Sequence, residues 1–470
     1  MISSKTHETY HKTFLMLAFE VVIISLISFA FIFKLPSPLY IESSESNSKV
    51  IVDLHSLLDN LDQSALLQSL KNLIKQSFSI YSNNCFESDY IQPLTKKCIN
   101  QSGISLTAID SLDTLILIND TENVNKINNF LNSPQFVCKS LPNQFISTQY
   151  ITTHIIGGLI SAYSLTSNQL YLKKAKDCAE MAMISFKNDI PKPFFNPNRK
   201  THKTFSWIPG TTLSESSSFS IEFRTLALLT NTQKYQDLVD RYYTCVSKQI
   251  LSNDKLYLFW STNSCSNLTS KEGFSILSSR FLANTLRYYI LSPSNETEMI
   301  LDYFIKKLES NSLRDISRTS DSLDPRFDSS FCELLPLLRV YKRNALELIK
   351  KLNGKCRNLM DLGLLATSAK MEKRFLNIDQ KGFDYQSSLI EDVIINHQNE
   401  DMRFTFLNAT ERLNCSNAFC ELFSQKPDII HDFMPPESIS KWAKYLLFLP
   451  GELAYDTFVF NEAGHIIPKI

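Results

Sequence analysis

Carboxylic acids are the side chains of this chain best suited to chemistry. Asp110 and Asp113 stand three residues apart. Glu215 and Glu222 stand seven apart, so they share one face if that helix is continuous. Carboxyls brought together can do acid–base work, one giving a proton to a departing oxygen and another taking one from water. The competing readings are a helix cap or structural ion pair for the aspartates and a solvated face for the glutamates. Glu391 and Glu462 are two further acids, and His465, close to Glu462, reads most simply as a satisfied structural residue. The 10 cysteines include no CxxC pair, which argues against a zinc site. Lysine plus arginine equals aspartate plus glutamate, 48 each, so nothing in the charge balance points to nucleic acid. With 10 glycines in 470 residues, a glycine-rich phosphate loop is also disfavoured.

Helices must carry these groups. Apolar residues recur at helical spacing over 54–80, 153–165, 170–186, 213–229, 234–248, 275–291, 296–308, 332–352, 389–397 and 438–448. Short polar connectors suggest repeated helical hairpins in an all-α chain. Periodicity alone leaves open a bundle, a solenoid or a closed α/α barrel. No low-complexity linker divides 51–470, which therefore reads as one domain. Residues 14–33 (FLMLAFEVVIISLISFAFIF) match the ~20 residues that cross a bilayer. Lys5 and Lys12 precede them, so the reading is a cytosolic tail (1–13), an uncleaved type II signal anchor (14–33) and a lumenal stem (34–50). A cleaved signal peptide is the alternative. Sequons at Asn100, Asn119, Asn267, Asn295, Asn408 and Asn414, and the cysteine content, agree with a lumenal placement.

Several segments, in order, then narrow the choice. They are Ile109-Asp110-Ser111-Leu112-Asp113-Thr114-Leu115, Gly157-Gly158-Leu159-Ile160-Ser161-Ala162-Tyr163, and Leu213-Ser214-Glu215 followed by Ile221-Glu222-Phe223-Arg224. Near the C-terminus come a helix-like run with Lys444 and Tyr445 and then Val459-Phe460-Asn461-Glu462-Ala463-Gly464-His465-Ile466-Ile467-Pro468. Together they resemble glycoside hydrolase family 47, the class I α-1,2-mannosidases. The resemblance implies an α/α barrel of about seven helical hairpins. It also implies a calcium-dependent, inverting enzyme of the endoplasmic reticulum or Golgi that trims high-mannose N-glycans. Asp110, Asp113, Glu215, Glu222 and Glu391 are the pocket acids it retains, and Cys332–Cys356 is the disulfide it implies.

Departures from the family pattern fall at the chemistry. The family's candidate acid falls on Tyr150, an aspartate of its pocket on Ser279, and its base on Ser388. Lys441 replaces a glutamate. At the calcium-binding threonine stands Glu462, unless a one-residue shift deletes the threonine and keeps the glutamate. Tyrosine, with a reference pKa of ~10, is a poor acid near neutrality, and serine cannot act as a carboxylate base. The expectation is a membrane-anchored, catalytically impaired relative that binds glycans or glycoproteins. The alternatives are an active mannosidase with displaced acids and an adaptor without glycan binding.

Overall fold

The computed structural model describes residues 65–310, 326–341, 345–361, 364–372, 375–383, 388–396, 405–406, 409–422, 430–448 and 457–470. All of them lie in one compact unit, 49–470. The segment 14–33 is outside the described residues. Among those that are described, no helix is long and apolar enough to cross a membrane.

Helical segments at 106–117, 148–166, 213–230, Ile276–Leu291, 329–341, Ser388–Asn396 and 438–448 form an inner ring. Each packs on the next, and the last closes on the first. Most are followed by an outer helix packed against them: Thr121–Asn132, Gln169–Ala182, Gln233–Asn253, Asn295–Ser310 and Leu346–Asn358. Ala65–Asn84 packs outside as well, against Thr121–Asn132 and Ser438–Ala443. Six of these helical segments carry a side-chain cap at the N-terminus, Asp328 capping 329–341. Asp120, Ser147, Asn168, Thr212 and Ser275 each accept a hydrogen bond from a first-turn N–H.

A C-terminal β-hairpin, Phe458–Phe460 with Ile466–Pro468, is packed against the inner helices. Its residues Phe458, Val459, Phe460, Ile466 and Ile467 are buried. This hairpin explains the glycine pair. A Cβ on Gly157 would lie 2.4 Å from Asn461 Nδ2, and one on Gly158 would lie 3.0 Å from the Ile109 carbonyl and 3.2 Å from the His465 ring. Gly464 turns the hairpin with φ +85° against Lys441.

Three expectations need correction. The run 213–229 is not one helix; it breaks between Leu213–Ser216 and Ser220–Thr230. Hydroxyls of Ser216, Ser217 and Ser218 donate to the carbonyls of Leu213 and Ser214, competing with the helical ladder. The run 332–352 also divides, into Leu334–Tyr341 and Leu346–Asn358. A continuous helix would hold Cys332 and Cys356 about 36 Å apart, whereas they are disulfide-bonded with Cα atoms 5.7 Å apart. Finally, Leu364–Glu372 pairs with Phe375–Phe383 as an antiparallel hairpin that helical periodicity does not predict. Cys85–Cys98, Cys138–Cys178, Cys245–Cys265 and Cys415–Cys420 complete the disulfides, leaving no cysteine free among the described residues.

Candidate functional site

The hairpin turn Asn461–His465 sits among side chains delivered by most of the inner helices. They form two layers, one sealed and one reaching solvent.

The sealed layer is built on Asp110 and Asp113, both 0% exposed. His465 bridges them, Nε2 lying 2.9 Å from Asp110 Oδ1 and Nδ1 3.0 Å from Asp113 Oδ2. His154 Nδ1 lies 2.7 Å from the same Asp110 oxygen. Lys444 and Ser161 donate to Asp113 Oδ2 at 2.6 and 2.7 Å. Burial alone would raise both carboxyls, but the facing cations override it and hold both below the usual range. Burial likewise opposes charge on His154, yet Asp110 lifts it to about 9. The two aspartates are thus ion-paired with His154, His465 and Lys444. Asp110 Oδ2 and Asp113 Oδ1 accept no hydrogen bond among the described residues.

Glu222 is 1% exposed and accepts from Asn461 Nδ2 at 2.8 Å. Its burial raises it to about 7 despite that bond. Glu333 accepts from Arg287 at 2.7 Å and from Lys441 at 3.4 Å. Here burial raises the carboxyl, but the two cations bring it down to about 2. Glu391 is buried close to Arg287 and Tyr445. Ser279 is buried and donates to Ser330 at 2.8 Å, so its hydroxyl serves the packing of two neighbouring segments. Ser388 opens the helix Ser388–Asn396; its side chain is outside what is described.

The open layer contains Tyr150, Glu215, Arg280, Glu437 and Glu462, all partly exposed. The helix bearing Tyr150 widens into a π-helical segment over Ile151–Ile156, a distortion frequent at functional sites. Tyr150 lies near Tyr90, and burial, then Glu437 and Glu215, raise its phenol. That shift takes it further from useful acidity. Burial and the neighbouring Glu462 lift Glu215 to about 7, Arg280 opposing. Glu215 and Glu222 therefore do not share a helical face: the serine-rich break separates them, one partly exposed and one sealed.

Glu462 is encircled. Gln149 and Arg280 approach Oε1, the latter at 3.1 Å, while Ser218 and Asn284 donate to Oε2 at 2.9 and 3.4 Å. Lys441 donates to its backbone carbonyl at 3.1 Å. A carboxylate offers about four acceptor positions, and four donors take them. Calcium, which the resemblance implies, needs six to eight oxygen ligands. Among the described residues no three His, Cys, Asp or Glu side chains are grouped to hold a metal ion. A dication ~4 Å from Arg280 or Lys441 would also meet repulsion of about 8 kcal/mol at an effective dielectric of 20. The residues at Glu462 do not fit the ion.

Type and spacing do not single out Gln149, Tyr90, Arg280, Glu333 or Glu437. Gln149 and Arg280 each adjoin a position that the family pattern marks, Tyr150 and Ser279. Tyr90 and Glu437 carry no such signal, because they meet the site only through the fold.

The family model for Glycosyl hydrolase family 47 matches residues 73–322, more than half of the chain. A mannosyl-oligosaccharide 1,2-alpha-mannosidase of Arabidopsis thaliana is 24% identical over 319 residues, 66% of this chain and 54% of that protein. An endoplasmic reticulum mannosyl-oligosaccharide 1,2-alpha-mannosidase of Rattus norvegicus is 28% identical over 232 residues, 47% and 34% of the respective chains. The chain thus spans about half or less of the length of these curated relatives. An alpha-1,2-mannosidase from Trichoderma reesei superposes with a TM-score of 0.73 at 18% identity, covering 86% of this chain and 99% of that one. That likeness speaks to the fold, an α/α barrel. On the match of the family model, the chain belongs to glycosyl hydrolase family 47.

Proposed function

We propose that the chain is a family-47 barrel that binds high-mannose N-glycans or glycoproteins in the secretory pathway and cleaves mannose poorly or not at all. Residues 14–33 would anchor it in the membrane of the endoplasmic reticulum or Golgi. The names of the curated relatives support the compartment and the substrate class.

One observation carries the reading. Of the retained acids, Asp110, Asp113, Glu222 and Glu391 lie in the sealed layer, and only Glu215 reaches solvent. Inverting hydrolysis needs two carboxyls beside the sugar, one acid and one base. The family's acid position holds Tyr150, and Ser279 is spent on packing. Hydroxyl, guanidinium and carboxyl groups remain in the open layer, which is what recognising sugar hydroxyls requires. Incubating the purified full-length chain with a high-mannose N-glycan tests this: binding is expected without release of mannose. Release at a rate that a Glu215→Gln change abolishes would overturn it.

That last outcome defines the second reading, which Glu215 itself favours. A carboxyl held near 7 is half protonated at neutral pH and suited to general acid work. Glu437, a second acid close to Tyr150, would then be the candidate base.

A further inference from the structure

The open layer has solved, by other means, the problem that a divalent cation solves in a pocket of acids. A cluster of carboxylates must be neutralised before it can hold neutral sugar hydroxyls. Here the neutralising charge is covalently part of the chain. Arg280 contacts Glu462 Oε1 at 3.1 Å, and its side chain is 41% exposed. Lys441 spans the Glu462 carbonyl and the Glu333 carboxylate, its side chain only 11% exposed. Ser218, Gln149 and Asn284 complete the shell of Glu462.

We infer that this open layer takes a neutral hexose through its hydroxyls without any divalent cation, with Arg280 as both the counter-charge of Glu462 and a direct contact of the sugar. The inference rests on the glycan-binding reading above and adds the mode of recognition. A guanidinium presents a planar fork of N–H donors, which suits two adjacent sugar hydroxyls. A calcium ion instead accepts lone pairs from such hydroxyls and needs further oxygen ligands around it; the carboxylate oxygens of Glu462 already face four protein donors.

Two measurements on the purified full-length chain test this. The first is thermal unfolding with millimolar calcium or with chelator, and no sugar. An unchanged midpoint is expected; a rise of several degrees with calcium would overturn the inference. The second is titration with a high-mannose oligosaccharide in calcium and in chelator. The dissociation constant is expected to agree within twofold in the two conditions. An Arg280→Ala change should weaken it on the order of tenfold, and Arg280→Lys, which keeps the charge but loses the fork, by less. Loss of binding on chelation, or an Arg280→Ala variant that binds as well as the parent, would overturn it. If no oligosaccharide binds at all, the contact assigned to Arg280 falls together with the glycan-binding reading. The thermal arm still decides separately whether the site takes a cation.

Discussion

Replacing Lys444 by methionine removes one charge from the sealed layer while keeping the bulk of the side chain. Lys444 and Asp113 are both fully buried and 2.6 Å apart. The ammonium also donates to the Gly464 carbonyl at 2.8 Å, where the hairpin turns. Removing one partner of such a pair costs about 3–5 kcal/mol, because the other charge stays buried without its counter-ion. Asp113 would keep Ser161 and His465 as donors, which places the loss toward the lower end. The orphaned Gly464 carbonyl adds about 1 kcal/mol, giving about 4 kcal/mol in all. Equilibrium urea unfolding, followed by fluorescence of the buried Trp260 and Trp442, reads this directly. A cycle with Asp113→Leu isolates the pair: the double variant should be less destabilised than the sum of the singles by about 2 kcal/mol. A single-variant loss under about 1 kcal/mol, or additive singles, would refute the reasoning that the acids of this layer are structural.

Two further predictions concern the same core. Glu222 has a folded pKa of about 7, above its ordinary value, so the stability it contributes is full below the unfolded pKa and lost as pH rises through 7. Glu333, held at about 2, works the other way: its contribution is present above the unfolded pKa and lost as pH falls toward 2. Urea unfolding across pH should show both limbs, and Glu222→Gln should flatten the upper one by about 3 kcal/mol; an unchanged upper limb would show that Glu222 does not set it. Gly157→Ala drives a methyl to 2.4 Å from Asn461 Nδ2 and should cost about 1–3 kcal/mol. Differential scanning calorimetry checks it, and a neutral outcome would mean that the hairpin shifts freely.

The helical character of the chain and the repetition of helical hairpins were legible in the sequence, because periodicity and short motifs are local; the β-hairpin at the C-terminus was not. The glycine pair was legible too, although its cause, Asn461 and His465 pressed against it, was not. What the sequence could not decide was which acids are sealed and which reach solvent. Asp113 meets Lys444 and His465 across 331 and 352 residues, and no local pattern encodes such a pairing. Nor could spacing show that hydroxyls of a serine run would break the helix between Glu215 and Glu222, exposing one and sealing the other. Glu462 reads in sequence as an acid at a metal position. Only the fold brings Gln149, Ser218, Arg280 and Asn284 around it. A carboxylate's chemistry is set by the charges and donors within a few ångströms, and in a closed ring of helices those neighbours come from distant parts of the chain.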